Sequence, residues 1–264
     1  MTDIPRDPLD PAFLASLRSR DARDREGLFL AEGVRFLVRA ADARAPVVGI
    51  IACNDLLRNP LAQMVLRRLK AAGTPVRSVS AREFKILSRA AEPQGVLLLL
   101  RQRWDPLPDP VSQRCATWVA VERVRSPGNL GSILRTCEAT GAAGVFFLGP
   151  YADPYDPGCL RGAMGALFGL RLVRTSHDRL RGWLHASGLV AVGASPHARR
   201  DYRDLDWPRG VMLVIGGERQ GLSRAQEALC DERVRIPMVG DVDSLNVAVA
   251  TGVLLYEALS RRLP

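Results

Sequence analysis

Lysine is nearly missing from this 264-residue chain: of its 37 basic residues, all but Lys70 and Lys85 are arginine. Long apolar runs are missing too. No stretch approaches the ~20 residues that a membrane-spanning helix needs. The N-terminal "MTDIPRDPLDPAF" carries acids and prolines where a secretory leader would have a basic end and an apolar stretch. A cytoplasmic protein is therefore expected. The five cysteines, Cys53, Cys115, Cys137, Cys159 and Cys230, show no paired spacing, which argues against a disulfide framework or a zinc knuckle and for reduced thiols. The histidines, His177, His185 and His197, lie outside every motif below, so no metal site follows from them. Two nucleotide signatures are also absent. No G-x-G-x-x-G follows the first strand, which weakens a dinucleotide enzyme. Gly216 and Gly221 have the spacing of a phosphate-binding loop, but Leu222 stands where its lysine is required.

What is present is an ordinary soluble composition, 47% hydrophobic and 25% charged, with length for one large domain or two moderate ones. The net charge of +9 is spread over both halves. Arginine's planar fork suits phosphate, so a nucleic-acid partner is favoured, although an arginine-rich codon usage accounts for part of the bias. The stretch "RWDPLPDPVS", Arg103 to Ser112, holds three prolines and no periodicity, and reads as a linker. Residues 1–103 before it alternate "PAFLASLRSR" and "AEGVRFLVRAADA" as helices, then "PVVGIIAC", "NPLAQMVLRRLKAAG", "TPVRSVS" and "GVLLLL" as strand, helix, strand and strand. That predicts a small α/β domain. Residues 104–112 form the linker. In residues 113–264 the strands "ATWVAVERV", "AGVFFLG", "GLVAVGAS", "GVMLVIGG" and "RVRIPM" are separated by helical or irregular stretches, which predicts a mainly parallel sheet with helices on both faces.

Three segments of the second half stand out. In "SPGNLGSILRTCEATG", Pro127-Gly128 turn the chain after a strand and Asn129 is suited to cap a helix. Leu130, Ile133, Leu134 and Cys137 make its buried stripe. Arg135 projects off that stripe, near the sheet's carboxyl edge where open α/β sheets bind ligands; alone, it is an ordinary exposed helical arginine. In "LVIGGERQGLS" a strand runs into Gly216-Gly217 and Glu218. In "RIPMVGDVDSLNVAVATG" a polar triplet, Ser244-Leu245-Asn246, abuts a helix that is apolar on every side and is expected to be buried.

Taken in order, "PGNLGSILR", "GGERQGLS" and "IPMVGDVDSLNVAVATG" resemble the motifs of the SpoU (TrmH) family of RNA ribose 2′-O-methyltransferases, of the knotted SPOUT superfamily. The resemblance covers about residues 115–264. The first 100 residues look like the substrate-binding domain many members carry, and "DPGCLRGAMGALFGL" resembles the segment between motifs one and two. The resemblance implies a deep trefoil knot around the third motif, which sequence physics alone would not propose. It implies S-adenosylmethionine as cofactor, held near Gly216, Gly217, Ile236, Met238 and Leu245. It implies Arg135, Asn129, Glu218, Ser244 and Asn246 as catalytic-site residues, with Arg135 and Arg161 touching RNA. The partners it implies are RNA, ribosomal rather than transfer, and a second copy pairing through the C-terminal domain. Ser126, Arg219 and Ala248 depart from common family usage. A transfer-RNA enzyme, or a non-catalytic RNA-binding assembly protein, is the alternative; the latter would not need the five catalytic-site residues together.

Overall fold

The computed structural model describes residues 7–262. The chain forms two compact units, one holding the described residues up to Arg103 together with Tyr155–Phe168, the other Trp104–Pro154 and Gly169 onward.

The first unit runs α1 (Pro11–Ser16), α2 (Arg20–Glu26), β1 (Leu28–Glu32), α3 (Val34–Asp42), β2 (Val47–Ala52), α4 (Pro60–Ala71), β3 (Val76–Ser78), α5 (Ala81–Leu87) and β4 (Val96–Arg101). The helix starts are locally encoded. Asp10 and Asn59 accept from first-turn amides ahead of Pro11 and Pro60, and Ser80 with Glu83 closes a capping box before α5. The sheet order is β1-β4-β2-β3, antiparallel except for β2 with β3. β4, "VLLLLR", is buried through its first five residues, which is why it reads as a continuous apolar run. One expectation is corrected here. Ala31 and Glu32 belong to a strand, not to the following helix, because Leu28–Glu32 pairs with β4 and Gly33, at φ +115, separates it from α3. That pairing partner lies 65–73 residues downstream, beyond local propensity.

The division between the units also differs from the expected one. Tyr155–Phe168, which carries α7 (Pro157–Ala163), packs with the first unit. The Tyr155 ring lies 4.6 Å from Phe29, and its hydroxyl accepts from the Arg103 amide at 2.8 Å. The proline-rich stretch is no free linker either. Trp104 packs edge-on against Phe147 at 5.5 Å with Arg174 3.7 Å above its ring, the Leu172 amide donates to Asp105, and Trp183 donates to the Pro108 carbonyl at 2.8 Å.

The second unit comprises β5 (Thr117–Glu122), α6 (Pro127–Ala139), β6 (Gly144–Leu148), then, after α7, β7 (Arg171–Thr175), α8 (His177–Ser187), β8 (Val190–Ala194), β9 (Arg200–Asp201), β10 (Val211–Ile215), α9 (Arg224–Glu227), β11 (Glu232–Arg235) and α10 (Val247–Ser260). Every strand pair in its sheet, ordered β7-β6-β5-β10-β8-β11-β9, is parallel. Trp118, Phe146 and Trp183 meet in its core at 4.7–5.8 Å between rings. The chain builds outward from β5 through β6 to β7, then returns to place β8 and β10 on the other side of β5. Such a reversal opens a crevice at the strands' carboxyl ends. Both β5 and β10 end there, with Val121 opposite Ile215.

α10 departs from expectation in its burial. Thr251, Leu254, Leu255 and Ala258 are buried, but Val249 and Tyr256, one heptad apart, are 53% and 55% exposed. One stripe packs; the outer face is uncovered within a single chain. The thiols are all free.

Candidate active site

The site is assembled where β5, β10 and the loop before α10 end. β5 closes on Glu122, whose carboxylate is buried and accepts from the Ser223 hydroxyl at 2.7 Å. His177 Nε2 stands 3.5 Å from the same carboxylate. Ser223 also caps α9 through the Gln226 amide, so one hydroxyl ties the loop after β10 to the end of β5. Arg123 follows at φ +56, a left-handed conformation costing a non-glycine residue roughly 1–2 kcal/mol. Its Nη1 donates to Gln220 at 2.6 Å, binding the same two loops a second time. Strain held in place by such contacts is characteristic of functional loops.

After Arg123 the chain turns into α6. Ser126, not Asn129, is the cap: its hydroxyl accepts from the Asn129 amide, and Pro127 takes the first helical position. The expectation that Asn129 caps this helix is therefore corrected, because the cap lies three residues earlier, at Ser126. That leaves the Asn129 side chain free for another task. Its Nδ2 donates to Glu218 Oε1 at 2.6 Å, and its Oδ1 accepts from Asn246 Nδ2 at 3.0 Å. Asn246 is the cap of α10, its Oδ1 accepting from Ala248 at 2.8 Å and Val249 at 3.3 Å. The Ser126 amide also donates to Glu218 Oε1, at 3.2 Å. One polar chain thus joins residues 129, 218 and 246, one from each of the three segments.

Beside it opens a cavity of about 390 Å³. Gly216, Gly217, Glu218, Ile236, Met238, Ser244 and Leu245 all line it, so every expected cofactor contact converges on one space. Gly216 is required by closeness: a Cβ there would meet the backbone of Gly221 at 2.2 Å. Gly217 and Gly221 exchange backbone hydrogen bonds at 2.9 and 3.0 Å, with Gly221 at φ +64. The loop is a tight turn whose glycines line the cavity. The lining combines apolar Ile215, Ile236, Met238 and Leu245 with the carboxylates of Glu218, Glu227 and Asp243 and one guanidinium, Arg219. That suits a ligand with a flat apolar portion and positive charge, in the volume range of small-molecule sites.

Arg135 is exposed on α6 and, among the described residues, makes no hydrogen bond or ion pair. It does not join the Asn129–Glu218–Asn246 chain. Arg161 lies in the first unit on α7, lining a pocket there with Arg18 and Arg89. Sequence reasoning missed Glu122, Arg123 and Ser223, and also Ser195 and His197, which line the cavity from the loop after β8. Their signal was position at a strand's carboxyl end, legible only once the strand order is known. Thiol chemistry is disfavoured: burial pushes the Cys137 and Cys230 thiols up to about 12.

Comparison with known proteins adds a finding for each unit. The sequence profile of the SpoU rRNA Methylase family matches residues 116–256, and that of the MRM3-like substrate binding domain matches residues 13–98. A 23S rRNA (uridine(2479)-2'-O)-methyltransferase of Streptomyces viridochromogenes is 34% identical over 255 residues, covering 94% of this chain and 88% of that protein. The crystal structure of an AdoMet-bound rRNA methyltransferase from Sinorhizobium meliloti superposes with TM-score 0.88 at 31% identity, covering 100% of this chain and 98% of that one. The SpoU methyltransferase AviRb from S. viridochromogenes, in complex with AdoMet, gives 0.86 at 32%, covering 96% and 97%.

Proposed function

The chain belongs to the SpoU rRNA methylase family, and from that premise we propose how its residues divide the work. The protein is an S-adenosylmethionine-dependent RNA ribose 2′-O-methyltransferase. The cavity fits this cofactor by its own chemistry: apolar side chains for the adenine, glycines that allow close approach, and three carboxylates against one guanidinium, Arg219, for a sulfonium and an ammonium. When bound, the cofactor supplies an electrophilic methyl group for in-line displacement by oxygen. Gly216, Gly217, Ile236, Met238 and Leu245 hold it.

The remaining residues act on the ribose. The 2′-hydroxyl is a weak acid, so the site must favour its loss of a proton or stabilise the developing oxyanion. Arg135 does the latter, and clamps a neighbouring phosphate; a guanidinium holds its proton too firmly to be a good base. Asn129, Glu218 and Asn246 fix the mutual position of the three segments, and Ser244 lines the site with them. Arg161 contacts RNA elsewhere, in the first unit. The observation that carries this reading is the Glu218–Asn129–Asn246 chain at the rim of the cavity.

The RNA is ribosomal rather than transfer RNA, supported by the S. viridochromogenes relative and the substrate-binding profile on the first unit. A trefoil knot around the third motif rests on family membership. So does a homodimer through α10, supported by the uncovered Val249 and Tyr256. Among the described residues no helix is long and apolar enough to cross a membrane, and a cytoplasmic location completes the proposal.

The test is Arg135→Ala. The side chain is exposed, so stability should shift by no more than about 0.5 kcal/mol. Single-turnover transfer should fall roughly 10²–10³-fold, as for loss of an oxyanion donor, with cofactor affinity unchanged. Near-normal turnover would refute the role, and lost cofactor binding would move Arg135 to the cofactor. Mapping 2′-O-methyl sites in cellular RNA with and without the protein identifies the substrate.

A further inference from the structure

A second cavity, again of about 390 Å³, lies in the first unit, and it has the opposite chemistry. It opens where parallel β2 and β3 end, Ala52 opposite Ser78, beneath the crossover helix α4. This is the place at which α/β units offer ligands a crevice. Along α4, Gln63, Leu66, Arg67 and Lys70 fall at i, i+3, i+4 and i+7, and all four line the cavity. Arg67 and Lys70 are exposed, and among the described residues neither side chain has a hydrogen bond or ion pair. Gln63 Nε2 is taken by the Leu57 carbonyl at 2.7 Å, which fixes that amide and leaves its oxygen open. Asn54 and Ser78 add an amide and a hydroxyl over a floor of Ala52, Leu57, Leu66 and Val76. No carboxylate is among the lining residues, whereas the cofactor cavity has three.

We propose that this cavity binds one unpaired nucleotide of the substrate RNA, its phosphate on Arg67 and Lys70. The proposal rests on the RNA methyltransferase reading above. Two cations without a counter-charge call for an anion. The apolar floor calls for a ring or ribose attached to it, and the volume takes a group of nucleotide size. The amides of Asn54 and Gln63 face the base edge or ribose hydroxyls. An unpaired nucleotide is required, because single-stranded segments can splay a base into a pocket while helical RNA cannot.

The experiment uses the full-length protein and the R67E/K70E double variant. Its control is R82E/K85E on α5 of the same unit, with the same residue types, spacing and charge change. R67E/K70E should raise KM for the RNA roughly 10- to 100-fold, from two solvent-exposed charge-assisted contacts. The slope of log affinity against log salt should flatten by about 0.7, the value for one single-strand phosphate. Turnover at saturating RNA, cofactor affinity and melting temperature should stay near wild type. The uncharged plug Ser78→Trp should raise KM without the change in salt slope. If R67E/K70E behaves like R82E/K85E, the effect is one of general charge and the pocket assignment is overturned. If AMP binds the pocket in calorimetry while R67E/K70E leaves the RNA KM unchanged, the occupant is a free nucleotide and the RNA assignment is overturned. Failure of the parent reading looks different: wild-type protein would methylate no RNA ribose at all.

Discussion

Replacing Asn129 by aspartate tests whether the polar chain through the site runs in the direction its chemistry dictates. A carboxylate only accepts, so Asn129 must turn its NH2 toward Glu218, at 2.6 Å, and its carbonyl toward Asn246, at 3.0 Å. Asn246 must then give its NH2 to Asn129 and keep its oxygen for the α10 amides. Each orientation forces the next. Asn129→Asp keeps the shape and deletes only the donor, which sets two carboxylate oxygens where a 2.6 Å hydrogen bond stood. The lost bond to a charged group is worth about 1.5–3 kcal/mol, and the low end applies because Glu218 is exposed.

The added like-charge contact gives the variant a signature of its own. Two carboxylates at that separation share a proton, so the folded variant binds a proton that its unfolded chain releases. Stability must then fall as pH rises. Asn129→Ala loses the same bond and also the acceptor for Asn246, but adds no charge. Relative to wild type, Asn129→Ala should therefore melt lower by roughly 3–6 °C, at ~2–4 °C per kcal/mol for a chain of this size, equally at pH 5 and pH 8. Asn129→Asp should fall further behind wild type at pH 8 than at pH 5, with cofactor affinity declining in parallel. Thermal melting and calorimetry at the two pH values decide the matter. Identical pH dependence for the two variants would refute the reasoning.

Other expectations follow from neighbouring contacts. Gly216→Ala should abolish measurable cofactor binding while leaving the first unit intact, because its Cβ meets the Gly221 backbone at 2.2 Å; calorimetry showing wild-type affinity would mean the loop is not the cofactor's. Ser223→Ala should destabilise by about 2–4 kcal/mol, removing both the α9 cap and the bond to buried Glu122. Ser223→Thr should recover most of the melting temperature. Val249→Glu with Tyr256→Glu should yield a monomer by light scattering without lowering the melting point of the isolated chain, and an unchanged dimer would place the interface elsewhere.

Much of the second unit was legible because its signals are local or periodic. β5, β6, β8 and β10 announced themselves as apolar runs, whereas β11, Glu232–Arg235, buries only Val234. Leu130, Ile133, Leu134 and Cys137 are the buried stripe that their spacing predicts. The first unit hid β1, since "LFLAE" becomes a strand only by pairing with β4. Asn129 stood out in the sequence as a helix cap, and the structure instead gives its side chain to Glu218 and Asn246. A Pro-Gly-Asn turn leaves the helix start ambiguous by three residues, and Ser126, the position that departs from family usage, takes the cap.

What the sequence could not display is adjacency across the sheet. Glu122 and Ser223 are 101 residues apart and share a 2.7 Å hydrogen bond, yet neither is unusual in its own segment. They meet because β10 is inserted beside β5, an order that no local pattern encodes. The same insertion brings Gly216 and the strained Arg123 to one edge, where Arg123 holds Gln220. The motif residues were therefore recognisable as a set before their geometry was known, while the residues that hold the set in place became visible only through the strand order. Those holding residues, Glu122, Arg123 and Ser223, are where substitutions distant from the cavity should still be felt inside it.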